Sequence, residues 1–232
     1  MNPPRPLRLF LAAQAILYLA FLALDLLGVH AALSDGLKYV GVALCFLAAL
    51  AWAGRDGLQG RLQAAAAGFT LLADLFLLLL DRWYLAGVLS FWVVQALYLA
   101  RIRSAGGWPR PVCLAVRLAL PAAALLFLWT GGALSPLNAA SAVYFSQLLC
   151  SAAESAALPG RVPWAGPFRA GLWLFVGCDL CVALHNLTAA TGLSLPLWLG
   201  RAASLGMWAF YLPSQVLLTL SGRTFAKEGP NP

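Results

Sequence analysis

Two aspartates stand inside long apolar runs: Asp74 in Leu71-Leu72-Ala73-Asp74-Leu75, and Asp179 in Val176-Gly177-Cys178-Asp179-Leu180. No basic residue lies within a helical turn of either along the chain. A carboxylate at the middle of a membrane span costs roughly 2.5–3.5 kcal/mol on insertion scales. Two carboxyls in one dry site do not readily ionise together, so one can hold a proton while the other is charged. That is the arrangement for acid/base catalysis. It is equally an arrangement for a proton or cation relay. Asp25, Asp81 and Glu154 lie nearer the ends of their runs, where water or headgroups solvate them, and carry less weight.

Around these acids, polar residues recur at helical spacing. Gln14, Tyr18 and Asp25 share one face, as do Thr70, Asp74 and Asp81. Gln95 goes with Tyr98, and Tyr144 with Gln147, Ser151 and Glu154. Asp179 and Asn186, with His185 beside them, and Ser204, Trp208, Tyr211 and Gln215 complete the set. Lipid-facing positions are apolar, so these stripes face inward and suggest a polar cavity inside a bundle. For most of them the plainer reading is a hydrogen bond to a neighbouring helix, at about 0.6 kcal/mol each. Lys38 either snorkels to the interface or points inward as a cationic anchor for a lipid phosphate. Cys178 and Cys181 form a CxxC, but with five cysteines, all in or beside apolar runs, buried thiols are expected rather than a disulfide framework or a metal site.

The elements that must position these residues follow from composition. The chain has 232 residues, of which 62% are hydrophobic and 10% charged. Soluble domains are about 45–50% apolar and about 25% charged. That excludes cytosolic enzymes, disordered proteins and nucleic-acid binders, and leaves a single integral membrane domain, all-α, over 1–232. Apolar runs of spanning length predict eight transmembrane helices near 7–27, 36–53, 62–80, 84–102, 112–130, 136–158, 168–190 and 197–220. The boundary at Asp81-Arg82-Trp83 is the tightest.

The net charge of +7 reads as a topology signal. With the N-terminus inside, the inner segments carry Arg5, Arg8, Arg55, Arg61, Arg101, Arg103, Arg110, Arg161, Arg169, Arg223 and Lys227, with Arg117 just within the membrane. The outer ends hold Lys38, Arg82 and Arg201. Eight spans with both termini cytoplasmic satisfy this asymmetry. The first run is longer than a signal-peptide core and carries Gln14, Tyr18 and Asp25, so it is kept as a mature helix. In this topology the third and seventh spans both run outward. Asp74 is 13 residues from Arg61 and Asp179 is 10 from Arg169, which places the carboxyls within about a turn of one depth. They share one cavity if the two helices are neighbours. The Asp-Leu echo, followed each time by a helix with Tyr and Gln on one face, is consistent with a four-plus-four duplication.

At these residues the sequence resembles the lysoplasmalogenase (YhhN-like) family of multi-pass membrane proteins. Lys38 fits that family's Lys near the start of the second helix, and Ala73-Asp74 its Gly-Asp before a Leu-rich helix. Gly87, Phe91, Gln95 and Tyr98 fall in its Gly/Phe segment ending in His-x-x-Tyr, with Gln for His. Tyr144 matches a central Tyr. Phe175-Val176-Gly177-Cys178-Asp179 with Asn186 matches Phe-x-x-Ser-Asp and a following Asn, with Cys for Ser. Tyr211 and Gln215 match Tyr-x-x-x-Gln on the last helix.

The resemblance implies hydrolysis of the vinyl ether bond of a lysoplasmalogen to a fatty aldehyde and glycerophosphoethanolamine or glycerophosphocholine. It implies Asp74 and Asp179 as catalytic carboxyls. Lys38, Gln95, Tyr98, Tyr144, Asn186, Tyr211 and Gln215 would serve substrate or water. The partner is then a lysophospholipid within the bilayer, with no cofactor and no metal. A bacterial inner membrane is the preferred location, or an endoplasmic reticulum membrane for a eukaryotic chain. Two other classes suit the same residues: a small proton-coupled transporter and a non-catalytic lipid-binding protein. Aldehyde formation in detergent, where transport is impossible, separates the first from the hydrolase. Tolerance of losing both aspartates separates the second.

Overall fold

A computed structural model describes residues 4–54, 57–106, 111–160, 162–191 and 196–223, with the backbone alone for 187–191. The described residues form eight helices and no strand: α1 Arg5–Leu27, α2 Ala31–Ala53, α3 Gly57–Asp74, α4 Tyr84–Gly106, α5 Pro111–Thr130, α6 Pro136–Ala156, α7 Ala165–Thr191 and α8 Leu197–Ser221. Each predicted run lies on one helix. The largest boundary differences are at α2 and α3, which each start five residues before the expected position, and at the end of α3, which stops at Asp74, six residues before the expected one. A π-helical turn, Leu75–Leu79, continues α3 directly after Asp74. The tight boundary that follows turns through Asp81 and Trp83, both at left-handed φ (47° and 58°). The Tyr84 hydroxyl donates to the Asp81 carboxylate at 2.8 Å.

Helices α1 to α5 and α7 are long and apolar enough to cross a membrane, the mark of an integral membrane protein. The two others, α6 and α8, carry the densest polar stripes, including Gln147 and Glu154 on α6 and Arg201 and Gln215 on α8.

Packing runs in a closed circuit, α2–α3–α4–α6–α7–α8 and back to α2. Helix α1 lies outside it against both α2 and α8, whereas α5 leans on α6 alone. Exchanging the two halves of the chain maps this circuit onto itself, as the Asp-Leu echo suggested. The correspondence stops at α8, which also packs on α1 and α3, while α4 packs on neither α5 nor α7.

Two prolines sit inside helices, Pro121 in α5 and Pro213 in α8. Each lacks the N–H that would reach the carbonyl four residues back. Those carbonyls belong to Arg117 and Ala209. Gln147 Nε2 donates to the first at 2.9 Å and the Tyr18 hydroxyl to the second at 3.0 Å. A backbone group freed by proline in lipid must find such a partner. These two polar residues therefore hold α5 to α6 and α8 to α1.

The closest helix pair is α7 with α8, where small residues let the backbones meet. A Cβ added at Gly171 would stand 2.7 Å from Leu218 Cγ and 3.1 Å from the Leu218 backbone nitrogen. The Gly171 carbonyl also accepts from the Ser214 hydroxyl at 2.9 Å. Because backbone cannot rotate away, Gly171→Ala is expected to cost about 1–3 kcal/mol by overpacking. The check is a lower thermal midpoint of the purified protein in detergent; an unchanged midpoint would mean the pair can slide.

Candidate active site

Asp74 is buried at the end of α3. The Tyr211 hydroxyl, from α8, lies 2.9 Å from its Oδ1 and 2.8 Å from its Oδ2, so one O–H addresses both oxygens. The π turn begins at the next residue. It is seated by Gly87 of α4, where a Cβ would come within 2.5 Å of Leu77 Cγ. π-Helical turns in α-helices often mark functional sites. Nothing in the run Leu75-Phe76-Leu77-Leu78-Leu79 announces it.

Asp179 has a different setting. It faces the Tyr144 hydroxyl of α6, but no hydrogen bond closes, and both Asp179 Oδ2 and the Tyr144 hydroxyl lack a partner. The two acids do not meet across a shared helix interface, because α3 and α7 are not neighbours. The condition set from the sequence, that the two helices be neighbours, is not met. Rings connect them instead. Tyr211 lies 5.5 Å from Phe175, and Phe175 lies 6.5 Å from Tyr144, with Phe91 stacked on Tyr144 at 5.5 Å.

Several buried polar atoms around these rings have no hydrogen-bond partner. They include both side-chain heteroatoms of Gln95, the Tyr98 hydroxyl, Thr70 Oγ1 one turn before Asp74, and Gln215 Nε2 one turn after Tyr211. An unpaired buried polar group costs about 1–3 kcal/mol on protein scales. A cluster contributed by α3, α4, α6, α7 and α8 is therefore a place that a polar ligand or water would stabilise.

The YhhN family matches residues 33–222. The chain belongs to the YhhN family. No curated protein and no solved structure matches the chain. The YhhN match covers every expected site residue, from Lys38 to Gln215.

In this YhhN protein the expected residues divide into groups. Asp74 and Tyr211 are in contact, and Asp179 and Tyr144 face each other. Gln95, Tyr98 and Gln215 are buried on the helices that bring these together. Lys38 does not snorkel. It is buried, 3.1 Å from Asp25 and 3.0 Å from Asp35, and sits 5.1 Å over the Trp208 ring. Lys38 thus arrives already paired with two carboxylates, in the wall of a cleft of about 300 Å³ that also includes Arg201 and Ser204. Trp208 continues to Tyr211 at 5.2 Å, one turn along α8. Asn186 is exposed near the far end of α7, and the structure does not bring it to the others. Gln14 and Tyr18 follow the plainer reading, since they hydrogen-bond α2 and α8 respectively. All five cysteines are free thiols.

Glu154 and Asp25 are not left to water at span ends, as their positions suggested. Glu154 is 2.7 Å from Arg117 and 3.3 Å from Arg103. Arg117 also donates to Gln147 at 2.9 Å, so much of the α6 stripe is a socket for this arginine. Asp25 accepts from the Ser34 hydroxyl besides pairing with Lys38. Arg101, counted from sequence only as a topology residue, is fully buried. It donates to Gln59, Gln63 and Ser221, between the rings of Trp164 and Phe168.

Proposed function

We propose that this protein is a membrane-embedded hydrolase that cleaves the vinyl ether of a lysoplasmalogen to a fatty aldehyde and glycerophosphoethanolamine or glycerophosphocholine. The observation that carries the reading is the contrast between the two interior acids. Asp74 accepts the Tyr211 hydroxyl at both oxygens, while Asp179 keeps one buried oxygen without a partner beside Tyr144. Family membership supports the same chemistry.

Asp179 then carries the proton and delivers it to the terminal carbon of the O–CH=CH unit, leaving an oxocarbenium ion at the carbon bonded to oxygen. Asp74, present as the anion with Tyr211 on it, faces that developing positive charge. Water adds to the cation, its spare proton returns to Asp179, and the hemiacetal collapses to the alcohol and the aldehyde. One water is consumed, and neither acid is changed after the cycle. Glycoside hydrolysis passes through a similar cation with two carboxyls in comparable roles. Tyr98, Tyr144 and Gln215 orient substrate or water. Lys38, held by two carboxylates, sets the position of Trp208 above Tyr211. The topology proposed for this enzyme has eight spans with both termini cytoplasmic, in a bacterial inner membrane or, for a eukaryotic chain, the endoplasmic reticulum.

The test uses the purified full chain in detergent with a 1-alkenyl lysophospholipid. Aldehyde is expected from it, and none from the 1-alkyl analogue, which has no double bond to protonate. In D2O, with the aldehyde reduced as it forms, one deuterium is expected at its C2, because protonation occurs on carbon. No aldehyde from the alkenyl lipid would overturn the reading, and so would equal release from the alkyl lipid.

A further inference from the structure

We propose that the cleft between α4, α5 and α6 is a lateral opening through which a single-chain phospholipid reaches Asp179, with Arg117 receiving its phosphate. The identity of the lipid rests on the hydrolase reading; the place of the opening does not.

The opening exists because of how α5 is attached. Both α4 and α5 lean on α6, and not on each other. On the other side of the circuit, the corresponding helix α1 closes against both α2 and α8. The space left at α5 is a cleft of about 220 Å³. Trp92, Ala96 and Leu99 of α4 form one wall, and Val143, Tyr144 and Gln147 of α6 the floor. Trp92 is fixed by its indole N–H, which donates to the Ala140 carbonyl at 2.8 Å.

Two of the residues lining this space are buried and carry polar atoms with no hydrogen-bond partner. Gln95 is 3% exposed and has neither heteroatom paired, and Tyr144 is 7% exposed with its hydroxyl unpaired. Tyr144 is also the residue facing Asp179. An apolar wall with such a floor suits an amphiphile whose first few atoms beyond the chain are polar.

Charge sets the orientation. Glu154 is shared by Arg117 and Arg103, so one carboxylate meets two guanidinium groups. Arg117 lines the cleft and makes three donor contacts, to Glu154, Gln147 and Ser151. A guanidinium has five N–H donors, so two remain for an anion. Gln147 lies one turn along α6 from Tyr144, a rise of about 4.5 Å. The glycerol unit between phosphate and ether in a lysophospholipid has a length of that order. A phosphate on Arg117 therefore leaves the ether beside Tyr144. In the outer cleft Lys38 is already held by two carboxylates, which leaves Arg201 as the basic group there.

The test measures binding without turnover. A 1-alkyl lysophosphatidylcholine with a brominated chain, which lacks the double bond, is titrated into the full chain in detergent. Quenching of Trp92 is read as the difference between the wild type and Trp92→Phe. Ala96 is exposed on the cleft wall, so Ala96→Phe fills the opening without disturbing the interior. That variant is expected to weaken probe binding at least tenfold at an unchanged melting temperature. Arg117→Gln is expected to weaken it several-fold, while Ser204→Phe in the outer cleft leaves it within twofold. Glycerophosphocholine and inorganic phosphate, which lack the chain, are expected not to displace the probe.

Wild-type binding by Ala96→Phe would overturn the opening, and so would loss of binding in Ser204→Phe alone. Displacement by inorganic phosphate would reassign Arg117 to a free-anion site and overturn the lipid. If the wild type binds the probe through this cleft but releases no aldehyde from the alkenyl lipid, the hydrolase reading fails and the opening stands. Aldehyde release with an Ala96→Phe variant that binds normally has the reverse meaning.

Discussion

Asp179→Asn is expected to lower aldehyde release from a 1-alkenyl lysophospholipid by about 10²–10⁴-fold, the range general acid catalysis contributes. Asparagine keeps the shape and much of the hydrogen bonding but has no proton to give to carbon. The carboxyl oxygen with no partner beside Tyr144 is the group that would deliver it. Asp74→Asn is expected to have a comparable loss for another reason: the anion facing the oxocarbenium ion is gone, and the Tyr211 hydroxyl loses one of its two carboxylate acceptors. Both variants should melt at or above the wild-type temperature, because each removes an acid from the interior of a membrane bundle. Tyr211→Phe should retain more activity than Asp74→Asn, since it leaves the charge in place. Full activity in Asp179→Asn, measured on purified protein with the fold verified by melting, would remove Asp179 from the chemistry. Full activity in both aspartate variants would leave the two-carboxylate mechanism without a basis.

The largest loss of stability is expected at Arg101, far from that chemistry. Its guanidinium is fully buried and donates to Gln59, Gln63 and Ser221, including the Ser221 backbone carbonyl at 2.9 Å. It also lies 4.7 Å from the Trp164 ring centre and 4.6 Å from that of Phe168. These contacts join α3, α4 and the end of α8, with the segment leading into α7 closing over them. Hydrogen bonds from a charged group are worth about 1.5–3 kcal/mol each, and stacking on aromatic faces adds up to about 2 kcal/mol when desolvated. Arg101→Ala also leaves Gln63 and Ser221 without their partner in the interior. We expect a loss on the order of 3–5 kcal/mol, read as a fall of about 10 °C in the melting temperature in detergent. Arg101→Lys should recover only part of it, because an ammonium lacks the planar fork that serves four acceptors and lies flat between two rings. A shift of a degree or less in Arg101→Ala would show that the cluster is incidental to the fold.

The fates of individual charged residues show what a linear reading captures. Membrane residence and the eight helices were legible because both depend on local content: how apolar a run is, how long it is, and where Gly and Pro interrupt it. Asp74 and Asp179 stood out for the same reason, as charges where none belongs. The arginines were less legible. Arg101 and Arg117 contribute to a one-sided count along the chain, and in the structure both are spent on buried contacts. A topology signal and an interior anchor look the same in sequence, since an arginine side chain can reach either headgroups or a neighbouring helix. Glu154 and Asp25 looked solvated for a similar reason, until their partners on other helices came into view.

By itself, the sequence determined the all-helical membrane character, nearly all the helix limits, the two acids and part of the polar set, of which Asp81, His185, Asn186 and Ser204 are exposed. Hydropathy and the 3.6-residue period are properties of a single helix, and one helix at a time they suffice. Only the tertiary structure decided which helices are neighbours. It placed α8 between the helices that carry the acids, gave Tyr211 to Asp74 and Tyr144 to Asp179, wound a π turn after Asp74, and left α5 standing apart from α4. The contact between Asp74 and Tyr211 spans 137 residues of chain. Close approaches at glycines such as Gly171 and Gly87 select one packing of helices among many with similar hydropathy, and no periodicity along the chain encodes that selection.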